Sequence, residues 1–157
     1  MTAFLQALAN WPGAVFLQES WIAYLFVNSA HILGIGLLLG AILPLDLRLL
    51  GVVSGRELPV LGPFLLRTAA TGAALAVLAG LWLFSVKPNE YLQNPAFLVK
   101  AALLVMAFLN VAFQHHSKHF ASAVRGGPAT LRIRVLAAAS ALLWLAILVA
   151  GRWIGFA

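Results

Sequence analysis

WIAYLFVNSAHILGIGLLLGAILP, residues 21–44, decides the fold, because 24 consecutive residues carry no formal charge. A helix crosses the hydrocarbon core of a bilayer in about 17–25 residues, so this run is long enough to span. Lipid offers no partner to a free backbone N–H or C=O, which leaves only helices and closed barrels as spanning structures. Barrel strands alternate polar and apolar residues. This run does not alternate, and it predicts a helix. Three more uncharged runs follow, between Arg67 and Lys87, between Lys100 and Lys118, and between Arg134 and Arg152. The spans are placed at about 21–44, 67–86, 96–116 and 132–151 in one domain covering residues 1–157. The expected fold is all-α: an integral membrane four-helix bundle with a short N-terminal interfacial helix. That last helix is the apolar stretch broken at Trp11-Pro12-Gly13. No Lys or Arg precedes Trp21, so this stretch does not read as a cleavable signal.

Composition agrees with a lipid solvent. Hydrophobic residues make up 63% of the chain and charged residues 9%, against about 45–50% and about 25% in soluble domains. The absence of cysteine excludes thiolate zinc sites, iron–sulfur clusters, structural disulfides and thiol catalysis. The net charge of +6 reads as a cytoplasmic excess of Lys and Arg, with no nucleic acid as partner. The first and third loops must share a side and hold Arg48, Arg56, Arg67, Lys118, Arg125, Arg132 and Arg134; the other side holds Lys87, Lys100 and Arg152. This asymmetry puts the first and third loops in the cytoplasm and both termini in the periplasm of a bacterial inner membrane.

Helices in lipid associate through close packing of small residues. Span one offers Ala30, Gly34, Gly36 and Gly40, span two Ala69, Gly72, Ala73, Ala76 and Gly80, and span four Ala137, Ala141, Ala146 and Ala150. They serve contacts within the bundle or, alternatively, a homo-oligomer or a membrane partner protein.

Polar groups at membrane depth are costly, and each calls for an account. His31 follows Trp21 by ten residues, or ~15 Å at 1.5 Å per residue, near the bilayer midplane. Asn28, His31 and Gly34 share a helical face. In span three Met106 reaches the same depth, and Asn110, Gln114 and Ser117 continue down its face. Imidazole and thioether are both haem ligands, and a four-helix bundle can hold a cofactor between facing side chains. One reading is therefore a haem b site with His31 as axial ligand and Met106 or Asn110 across the pocket. The other is a buried histidine hydrogen-bonded to Asn110, Thr68 or Thr71, with Met106 as filler.

His115 and His119 are four apart, the spacing of a two-histidine metal clamp on one helical face, with Asp46 or Glu57 as a third ligand. The alternative is a basic helix end among lipid headgroups. Asp46 and Arg48, at the end of the first span, are expected to pair with Arg67 or Glu57 or to anchor to headgroups. A proton relay needs an acid at depth, and with none inside the four spans a proton-driven transporter is disfavoured. No nucleotide loop, nucleophile elbow or HExxH motif is present.

The segments AHILGIGLLLGAILPLDLRLLG, NPAFLVKAALLVMAFLN and AGRWIGF resemble a family of uncharacterised four-helix bacterial membrane proteins over nearly the whole chain. That pattern often has an acid near the position of Asn28, an amide here. More distantly, the layout is similar to the copper-resistance D membrane domain and to the four-helix, haem-dependent protoporphyrinogen oxidases. Those oxidases have a histidine in the first span, as His31 is here, and a lysine opening the third, as Lys100 does. Their later span-three histidine is replaced by Asn110, and their last-helix Arg and Asn-Glu signature is absent. The resemblance implies haem without oxidase chemistry. Copper handling lacks soft ligands, with no Cys and only Met1 and Met106.

Overall fold

The computed structural model describes residues 2–53 and 58–156. Among them are eight helices: α1 (Thr2–Ala9), α2 (Pro12–Glu19), α3 (Trp21–Leu50), α4 (Leu58–Val86), α5 (Pro88–Gln93), α6 (Pro95–His115), α7 (Lys118–Val124) and α8 (Leu131–Trp153). Four of these, α3, α4, α6 and α8, are long and apolar enough to cross a membrane. The chain is an all-α bundle of a multi-pass membrane protein.

Local chemistry sets the helix ends. Ser20 caps α3 by accepting from the Ala23 N–H at 3.2 Å. Asn94 caps α6 by accepting from Ala96 at 2.9 Å and Phe97 at 3.3 Å, with Pro95 as the first helical residue. Thr130 caps α8 through the Ile133 N–H. The first span outruns its expected end at Pro44 and stops at Gly51. There a left-handed φ of 82° lets the Gly51 and Val52 N–H groups reach the Arg48 and Leu47 carbonyls, each at 3.0 Å. Pro44 lies inside α3, where it removes one intrahelical hydrogen bond, that to the Gly40 carbonyl. Much of the expected first loop is thus helix.

Packing is uneven. α3 lies along α4 for much of its length and against α8 on another side; α6 packs along α8 and not along α3 or α4. The α3–α4 contact is backbone on backbone. A Cβ on Gly34 would sit 2.6 Å from the Ala76 nitrogen, and one on Gly72 would sit 2.5 Å from the Leu38 nitrogen. Gly36 and Gly40, also expected to pack, have no neighbour within 4 Å and face outward. α4 and α6 meet through side chains, with Phe84 stacked on Phe97 at 5.3 Å and Tyr91 of α5 beside both.

One end of the bundle is closed by α1 and α2, and the expected interfacial helix is really this pair, docked on α4. Trp11 donates to Ser85 Oγ at 3.1 Å, Trp82 to the Gly13 carbonyl at 2.9 Å, and Gln18 to the Val86 carbonyl at 3.1 Å. The other end is closed by α7, whose Phe120, Ala123 and Val124 are buried in the core with Leu45, Leu49 and Ile133. Phe26, Leu78, Leu142 and Val149 are each more than 65% exposed on the perimeter. So much apolar surface suits lipid rather than water.

Candidate functional site

The continuous contact between α3 and α4 positions His31. Its Nδ1 lies 2.7 Å from the Ala76 carbonyl, so this nitrogen carries the proton and donates. A helical carbonyl already accepts from residue i+4, here Gly80, whose missing side chain makes room for the ring. A Cβ on Gly80 would lie 2.9 Å from His31 Cε1. The imidazole is thus clamped between a carbonyl and a glycine, its tautomer is fixed, and Nε2 is left as a free acceptor. The ring is half-buried. Lys100 of α6 is near enough to act on it electrostatically. The lysine stem runs along Gly151 of α8, where a Cβ would come within 3.4 Å of Nζ.

None of the expected hydrogen-bond partners of His31 holds it. Thr68 and Thr71 donate to the Phe64 and Arg67 carbonyls of their own helix, each at 3.0 Å. Asn110 donates to the Leu136 carbonyl of α8 at 3.1 Å, and Gln114 to the same oxygen at 3.0 Å. Asn110 thus ties α6 to α8 and does not face His31. Met106 is 47% exposed. It lies nine residues after Phe97, about 180° round the helix at 100° per residue, so it points away from α4. The structure does not bring Met106 or Asn110 across from His31. A facing stripe was expected because depth along a helix is readable from spacing, whereas the pairing of α6 with α8 is not.

His115 and His119 are also separated. α6 ends at His115, Ser117 is extended, and α7 begins at Lys118, so the two do not share a helical face. His115 Nδ1 bonds the Val111 carbonyl at 2.9 Å, and its ring lies against Phe120. No group of three or more metal-ligating side chains occurs among the described residues. Glu57, one expected third ligand, lies outside them.

Asp46, the other, is a correction. It is completely buried within α3, with no ion pair; the only salt bridge among the described residues joins Lys87 and Glu90 at 3.1 Å. Both carboxyl oxygens lack a well-formed hydrogen bond, as do Ser140 Oγ and Trp144 Nε1 of α8. Ser140 approaches the carboxyl closely enough to interact with it, though outside good bonding geometry. The helix simply continues past Pro44 and carries Asp46 into the interface with α8. An acid thus does lie buried in the first span, so the lack of one no longer disfavours a proton relay. Ser140 and Trp144 were missed because they occur singly in an otherwise apolar helix. Gly80 was read as packing; the signal that separates it is its place in the stripe Gly72, Ala76, Gly80, opposite the one histidine at depth.

No family model, curated protein or solved structure matches the chain, so the likenesses drawn above rest on the quoted segments alone.

Proposed function

We propose that this chain is a small haem b protein of the bacterial inner membrane, with both termini periplasmic, that passes electrons or serves as an accessory subunit of a redox complex. The observation that carries the reading is the state of His31: Nδ1 bonded to the Ala76 carbonyl at 2.7 Å, Nε2 free, and the ring seated on Gly80. A ligating histidine usually gives its second nitrogen to such a carbonyl, which fixes the tautomer and strengthens the donor. α4 and α6 make few close backbone contacts, which would let a flat group lie between them. Lys100 has no acidic partner among the described residues, and a haem propionate would supply the missing negative charge.

On this reading His31 Nε2 would hold the iron, Gly80 keeps space for the imidazole, and Lys100 would pair with a propionate. Bound haem supplies one-electron chemistry. Met106 and Asn110 take no part. Purified protein from haem-replete cells is expected to show a Soret band, which His31→Ala abolishes while leaving the helical circular dichroism intact. Colourless wild-type protein refutes the proposal and favours a cofactor-free accessory protein.

A further inference from the structure

At the end of the bundle closed by α7, a pocket of about 320 Å³ is lined by Phe113, His116, Ser117, Lys118, His119 and Arg132. We propose that it is a binding site for the phosphate headgroup of an anionic phospholipid. The lining holds two histidines, a lysine, an arginine and a hydroxyl, and no acid. The described acids are elsewhere: Asp46 is buried in α3, Glu90 is paired with Lys87, and Glu19 ends α2 at the opposite end. Arg132 and Lys118 are exposed and lack an acidic partner among the described residues. Arginine and lysine converging on one cavity match phosphate oxygens, with the guanidinium offering two parallel donors.

The surroundings point to a lipid and not a soluble anion. Phe113, on the membrane side of the pocket, is 58% exposed, and Leu131, next to Arg132, is 79% exposed. Cationic lining thus adjoins apolar surface, as a headgroup with attached chains requires. The 21 residues of α6 span ~32 Å at 1.5 Å per residue, which sets its final turn at headgroup level. The site is independent of haem at His31.

Native mass spectrometry of the full chain with dioleoyl phosphatidylglycerol or dioleoyl phosphatidylcholine tests this. At equal concentration the wild type should retain the anionic lipid about tenfold better. Lys118→Gln with Arg132→Gln should bring the ratio within about twofold, whereas Lys87→Gln, at the other end, should leave it unchanged. Excess inorganic phosphate should not displace the lipid. Equal retention of both lipids by the wild type, which requires no variant, overturns the proposal. So does an undiminished preference in the double variant, and displacement by phosphate assigns the pocket to a soluble anion instead.

Discussion

At the scale of single residues, the haem reading rests on how His31 is held, with Nδ1 bonded to the Ala76 carbonyl at 2.7 Å. A histidine ten residues into an apolar run is at depth whatever its neighbours do. Its partner is a backbone carbonyl, Ala76, and backbone groups leave no mark in side-chain chemistry. The account depends on the Gly80 seat, since a Cβ there would press on the ring at 2.9 Å. Gly80→Ala is expected to keep the fold and weaken haem retention about tenfold, or ~1.4 kcal/mol, in a titration of apoprotein. A span that ends at Pro44 leaves Asp46 at headgroup level, whereas the helix runs on to Leu50 and buries it. An ionised carboxylate buried without a counter-charge is a burden on the fold, whereas breaking a buried ion pair costs about 3–5 kcal/mol. Asp46→Asn should therefore unfold in detergent no more easily than the wild type. A loss of several kcal/mol would reveal a hidden ionic partner.

At the scale of elements, the four spans were legible because charge and hydrophobicity alone define them. Their contacts were not. Small residues recur on α3 at positions 34, 36 and 40, but only Gly34 meets α4 backbone to backbone, while Gly36 and Gly40 look outward. Spacing gives faces, and the partner of each face depends on how the helices are arranged. Gly34→Ala is expected to cost about 1–3 kcal/mol in detergent denaturation, since neither backbone can yield. Gly36→Ala should stay within about 0.5 kcal/mol of the wild type. The reverse order of these two effects would mean that the α3–α4 contact is misplaced.

At the scale of the whole molecule, α3 is held by both α4 and α8, while α6 is joined to the rest mainly through α8 and, at one end, through Phe84 and Phe97. The four-span bundle followed from the sequence. The docking of α1 and α2 on α4 and the packing of α7 at the other end did not, because the N-terminal stretch reads only as one interfacial helix and α7 as part of a loop. This arrangement puts His31, the only histidine at membrane depth, on the helix opposite a lysine with no described counter-ion. The most direct test of that centre is the pyridine haemochrome assay on detergent-purified wild type and His31→Ala, prepared in parallel from haem-replete cells. Near-stoichiometric haem b in the wild type and almost none in the variant is the expected result. Equal haem in both, or none in either, would contradict it.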